Sequence, residues 1–340
     1  MPGHFLQIQS LTKRTLLLAG SEATQFDHHR PARSLVAERL ANLLFMICLA
    51  SNTSYSQALT PRAYTITPIH VNAVTLGYSF SDGTVLLDDT VPITDGVARL
   101  STPVFNYFHA LSFIGRSANF TAALPYTIGH LQGKVLGAET KVYRSGLGGS
   151  AYRFSVNLKG GPSITPKEFL SWRQKTLLGV SLAVVAPTGQ YDPARLVNIG
   201  TNRWAFKPEL GLSRRWRTWL FDAYGGAWFF TTNQDFFPGT VSRSQEPIGV
   251  AEMHLSYDVK TGFWASIDSN FWYGGTTSRG GIEDTATLQK NSRIGATCAI
   301  PVGKRQTLKF SYSRGAYVRF GGNFQNLSIG WQYSWLGKPN

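Results

Sequence analysis

The sequence predicts an all-β chain: a transmembrane, antiparallel, up-and-down β-barrel of about twelve strands, preceded by a signal peptide. Three observations carry this. First, apolar and polar residues alternate with a period of two, most cleanly over 326–335. There Leu327, Ile329, Trp331, Tyr333 and Trp335 share one face, and Asn326, Ser328, Gly330, Gln332 and Ser334 share the other. Successive strand side chains point to opposite faces, so this pattern gives one greasy and one polar face. In a membrane barrel those faces meet lipid and lumen. Second, charged residues are only 15% and aromatics are 13%, with 34 glycines; soluble domains carry about 25% charged residues. No apolar run reaches the roughly 18 residues of a membrane-crossing helix. Third, connections are long after odd strands and mostly short after even ones, as in outer-membrane barrels with extracellular loops and periplasmic turns.

Residues 1–58 read as an extended amino-terminal region holding the signal peptide. Leu40 to Ala50 forms an apolar run behind Arg30, Arg33 and Arg39, and Ser56-Gln57-Ala58 offers small residues at the two positions a signal peptidase reads. Cleavage is expected after Ala58, leaving residues 59–340 as the barrel. Of the two cysteines, Cys48 lies in the apolar run, and Cys298 sits alone on an apolar face as a small hydrophobe.

Each strand is read from its alternation. The first four are expected at 71–80, 102–113, 117–125 and 149–160; in the fourth, Tyr152, Phe154, Val156 and Leu158 alternate with Arg153, Ser155, Asn157 and Lys159. The fifth and sixth fall at 175–186 and 202–213, the latter setting Trp204, Phe206, Leu210 and Leu212 against Arg203, Lys207 and Glu209. Strands follow at 218–230, with Asp222 and Tyr224 inward, at 248–258, with Glu252 and His254 inward, and at 262–273, with Asp268 inward. The last three are 291–300, with Arg293 inward, 306–315, with Lys309 inward, and 326–335. One connection, Gly160 to Trp172, is long yet falls on the short side. Within it Thr165-Pro166-Lys167-Glu168 has the form of a capping box with proline at the first helical position, which predicts a short periplasmic helix at 166–171. Ser328-x-Gly330-x-x-Tyr333-x-Trp335 is similar to the carboxy-terminal signal read by the barrel-assembly machinery, although five residues follow it.

The net charge is +14. No lysine- or arginine-rich block and no recognition-helix pattern accompanies it, so nucleic acid is not an expected partner. Outer-membrane lipid head groups and anionic solutes are. No metal-ligand spacing or phosphate-cradling loop occurs, and no cofactor is expected. The acid pairs Asp88-Asp89 and Glu283-Asp284 are weak cation candidates.

The candidate lumen residues are Arg153, Arg203, Lys207, Glu209, Asp222, Glu252, Asp268, Arg293 and Lys309, with Lys159 as a further inward cation. Arg203, Lys207 and Glu209 share a face at two-residue steps. They read either as an electrostatic constriction for solutes or as a salt-bridge ladder that buttresses the barrel; mixed signs favour internal pairing. Gln190, Tyr191, Asp192 and Pro193 form a turn signal, followed by Asn198, Gly200 and Asn202; the stretch reads either as an extracellular loop folded onto or into the lumen or as an ordinary ordered loop. His254 and Ser256 point to one face, but a serine hydrolase needs a third orienting group and none is assignable.

By these residues the chain resembles the bacterial family named for the meta-pathway of phenol degradation, whose members are labelled as transporters. The strongest stretch is Ala186 to Glu209. Gly115-Arg116-Ser117-Ala118, Leu124-Pro125-Tyr126, Trp228-Phe229-Phe230 with Asp235-Phe236-Phe237, and Gln289-Lys290-Asn291-Ser292-Arg293 support it, over a span of about Thr67 to Trp335. The resemblance implies an outer-membrane barrel of a Gram-negative bacterium, passing small solutes, aromatic compounds among them. It brings no catalytic residues. The alternatives are an outer-membrane lipid-modifying enzyme and a sealed structural barrel.

Overall fold

The computed structural model describes residues 59–86, 93–135, 138–195, 197–237 and 239–338. The expected signal peptide, its cleavage point after Ala58, Cys48 and the pair Asp88-Asp89 lie outside them.

The strands are β1 (Val71–Leu86), β2 (Ile93–Phe113), β3 (Arg116–Val135), β4 (Ala138–Leu147), β5 (Ala151–Lys159), β6 (Thr176–Val185), β7 (Ala205–Trp216) and β8 (Trp219–Phe230). They continue with β9 (Asn233–Phe236), β10 (Val241–Gln245), β11 (Ile248–Lys260), β12 (Phe263–Gly274), β13 (Thr277–Arg279), β14 (Ile282–Asp284), β15 (Gln289–Gly303), β16 (Gln306–Val318) and β17 (Gly321–Leu336). Twelve of them, β1, β2, β3, β5, β6, β7, β8, β11, β12, β15, β16 and β17, pair antiparallel in that order. The ring closes where β1 pairs β17, from Val71 opposite Leu336 to Leu86 opposite Gly321. Closure leaves no free ladder edge, which a bilayer demands because it offers backbone groups no water.

The faces are inverted relative to a soluble sandwich. Outward Leu210 and Ile267 are 67% and 66% exposed, whereas inward Asp222 and Asn270 are 0% exposed. Apolar outside and polar inside is the lipid-spanning arrangement. The bulge between Asn157 and Lys159 sets Lys159 opposite outward Leu178. Lys159 therefore leaves the lumen face expected for it, because one extra residue reverses the direction of those beyond.

Turns and loops segregate as expected. On the short side β2 and β3 are joined by Ile114 and Gly115, both at positive φ (49° and 69°), the pattern of a type I′ hairpin turn. The helix α1 spans Pro166–Ser171, and its capping box is formed: Thr165 Oγ1 accepts from the Glu168 amide while the Thr165 amide donates to Glu168 Oε2 at 2.7 Å. These bonds hold the exposed Glu168 carboxyl below its usual range. On the long side two expectations are corrected. Segments 81–98 and 126–148 are largely strand, since β1, β2, β3 and β4 run on as an extracellular ribbon. With 16, 21 and 20 residues, β1, β2 and β3 exceed the roughly 9–11 a bilayer needs, and alternation fades where both faces meet water. Segments 231–247 and 274–290 carry a second antiparallel sheet, in the order β14, β13, β10, β9.

Candidate functional site

The inward faces of β5 to β12 carry a connected charged layer. Lys207 and Glu209 on β7 lie 2.6 Å apart, and Lys207 Nζ reaches Glu252 Oε1 on β11 at 3.5 Å. Arg153 on β5 meets Glu209 at 3.4 Å. On β12, Asp268 is 2.9 Å from His254 Nδ1 and accepts hydrogen bonds from Ser266 and Thr297. Above this layer stands an apolar belt of Val185, Trp228, Ile248, Val250 and Trp272, with Lys207 Nζ 5.6 Å from the Trp228 ring centre.

Into this half of the lumen folds a segment that the strand pattern did not announce. Residues 59–70 precede β1 and enter from the periplasmic end, where the Ile69 amide donates to the Ile164 carbonyl and Ile66 packs on Ile164 and Leu177. The long connection on the short-turn side thus holds the base of this strap. Further in, Tyr64 is 1% exposed and its hydroxyl donates to Glu209 Oε1 at 3.0 Å. Burial first, then the Glu209 charge, raises the Tyr64 pKa and keeps the hydroxyl a donor. The Arg62 and Ala63 amides donate to Asp222 and to the Tyr224 hydroxyl, and Thr60 Oγ1 donates to Glu252 Oε2 at 2.9 Å. The Arg62 guanidinium meets Asp258 at 2.6 Å and stacks 4.3 Å over Trp264.

The glycines show where this leaves space. A Cβ at inward Gly179 or Gly211 would stand 2.3 or 2.0 Å from a carbon of the Tyr64 ring. Across the lumen, Gly77 on β1 faces Gly330 on β17. A Cβ at Gly77 would meet nothing nearer than 3.6 Å, and one at Gly330 nothing nearer than 3.4 Å. Their ladder neighbours Thr75, Ser79, Ser328 and Gln332 are small or polar and half-exposed. One lumen wall is packed by the strap, and the opposite wall is bare.

The expected site residues divide accordingly. Arg153, Lys207, Glu209, Asp222, Glu252 and Asp268 belong to the layer that holds or adjoins the strap. Arg203 does not complete a trio with Lys207 and Glu209: it precedes β7 and donates to Gln245 on β10. Arg293 is buried lower on β15 and donates to Ser313. Lys309 points inward but is solvent-exposed. His254 and Ser256 are 1% and 0% exposed, so no solute reaches them in this state. Glu283-Asp284 serves local structure, with Asp284 Oδ1 accepting from the Ala286 amide. Among the described residues no group of three or more His, Cys, Asp or Glu side chains is placed to hold a metal. In the connection after β6, the Gly200 amide donates to the Gln190 carbonyl, and the Gln190 amide donates to the Leu147 carbonyl. No periodicity marks the strap; its one local signal is the turn chemistry of Thr60-Pro61-Arg62.

A family model described as the MetA-pathway of phenol degradation matches residues 75–332. The chain belongs to this family. Among solved structures, the COG4313 outer membrane channel from Pseudomonas putida F1 is similar at 17% identity and a TM-score of 0.67, covering 82% of this chain and 100% of that one. The toluene transporter TbuX of Ralstonia pickettii is more distant, at 9% identity and a TM-score of 0.39 over 79% of this chain and 90% of that one. No curated protein sequence matches the chain. The likeness to the COG4313 channel shows that this chain has the fold of an outer-membrane barrel.

Proposed function

We propose that the chain is an outer-membrane channel that passes small solutes, aromatic compounds among them, without a chemical step. The observation that carries this is the wall of β1 and β17 opposite the strap, where Gly77 and Gly330 put no side chain into the lumen and a Cβ at either would meet only ordinary contacts from neighbouring strands. Passage along such a wall depends on shape and lining groups. The phenol-degradation association of the family suits aromatic compounds as the solutes passed. The export segment is removed after Ala58, so the mature chain starts at the strap. Thr60 already stands at the depth of Glu252, and removal of what precedes it spares the lumen further filling. The segment Ser328 to Trp335 presents itself to the assembly machinery, and the outer face to lipid.

Liposome swelling with sugars and aromatic acids tests the reading. Wild type should swell the vesicles, and Gly330→Phe, which fills the bare wall, should slow swelling several-fold. A second reading, a sealed barrel, is favoured by the number of bonds that hold the strap. It would stand if neither wild type nor Tyr64→Ala conducts any solute or ion.

A further inference from the structure

Three arginines converge where the extracellular loops meet. Arg203, at the end of the loop before β7, is 6% exposed, and Arg243 on β10 is 7% exposed. Arg279 on β13 stands directly opposite Arg243 in the ladder, a placement that destabilises an antiparallel pair of like charges. Rings offset part of this cost: the Arg203 guanidinium carbon lies 4.3 Å from the Phe230 centroid, and those of Arg243 and Arg279 lie 5.1 and 5.8 Å from that of Phe236. The acceptors for two of the three are neutral, since Arg203 donates to Gln245 Oε1 and Arg279 to the Phe237 carbonyl. Burial, then the charge of Arg243, pushes the Arg203 pKa down to about 9.

Arg203 and Arg243 line one small cavity of about 20 Å³, whose other walls include Tyr191, Asn198, Thr201 and Asn233. These walls offer hydroxyl, amide and guanidinium groups and no carboxylate. A cavity needs about 10–15 Å³ to hold one water-sized occupant, and two guanidinium groups on its wall favour an anionic one. Size, sign and donor set agree on one kind of guest.

We propose that this cavity is an anion site that takes a single small monoanion, a halide ion or the carboxylate group of a solute, between Arg203 and Arg243. The two arginines come from different loops, and Arg243 is bonded through its strand to β9 and β13. The bound anion therefore ties the roof of the barrel together.

Crystals of the full mature chain grown in bromide test this by anomalous scattering. Wild type should show a bromide peak within hydrogen-bonding distance of Arg203 and Arg243, absent from Arg203→Gln. No peak in wild type, or one that persists in the variant, overturns the proposal. Benzoate added to the bromide crystals separates the sources: replacement of the peak by a carboxylate supports a solute group, and its retention supports a free halide. Because Arg203→Gln could disturb the loops by itself, a wild-type measurement runs beside it. The melting temperature in detergent should be a few degrees higher in chloride than in gluconate at equal ionic strength, and equal values overturn the proposal.

Discussion

Tyr64 fills part of the lumen. Its ring occupies the space that inward Gly179 and Gly211 leave free, and its hydroxyl is held by Glu209. Tyr64→Ala should cost about 3 kcal/mol in urea unfolding, the usual price of emptying a large aromatic site, and should raise single-channel conductance. Gly211→Ala should raise conductance by the opposite route, because its methyl displaces the ring. Equal conductance in all three proteins would mean that the strap does not limit flow. Lys207 lies within reach of two carboxylates. Removing one member of a buried pair costs about 3–5 kcal/mol when the other is left uncompensated; Arg153 and Tyr64 remain on Glu209 and Thr60 on Glu252, so Lys207→Met should destabilise the barrel by less than that in the same titration. Ile114 shows the reverse case. A branched side chain at φ 49° carries a strain of about 1–2 kcal/mol. Ile114→Gly should therefore stabilise the barrel by about 1 kcal/mol, and a loss would indicate that the side chain makes a compensating membrane contact.

At the scale of elements, the sequence revealed what depends on neighbours along the chain. The capping box at Thr165 and Glu168 was readable because its two partners are three residues apart, and α1 spans the predicted residues. Thr165→Ala should weaken it by about 1 kcal/mol, visible as faster amide exchange over residues 168–172 with the barrel unaffected. The strap was not readable as an element. It has no period, its bonds to lumen side chains run to residues more than 90 positions away, and Glu209, Asp222 and Glu252 among those partners already read as polar lumen residues. Arg203 was misjudged for a related reason. Its even spacing, four residues from Lys207, implies a shared face only while the strand continues, and β7 begins at Ala205. The bulge beside Lys159 broke alternation in the same way.

The whole molecule is held by the pairing of its first barrel strand with its last. Val71 meets Leu336, so the ring closes only after the end of the chain is made, a contact of long sequence separation that folds slowly. Deleting residues 321–340 should leave β1 and β16 with open edges and abolish the heat-dependent gel shift of a closed barrel. A shift that persists would require another closing pair.

Period-two alternation, low charge and turn chemistry determined the strand count, the direction of most side chains and which end carries long loops, because each is a local property that the bilayer selects strand by strand. Tertiary structure alone decided what the polar face touches. An inward serine, glycine or glutamate reads the same in sequence whether it meets water, a facing arginine or the strap. Only the closed ring shows that one wall is packed, the other is bare, and a pair of arginines is gathered above them.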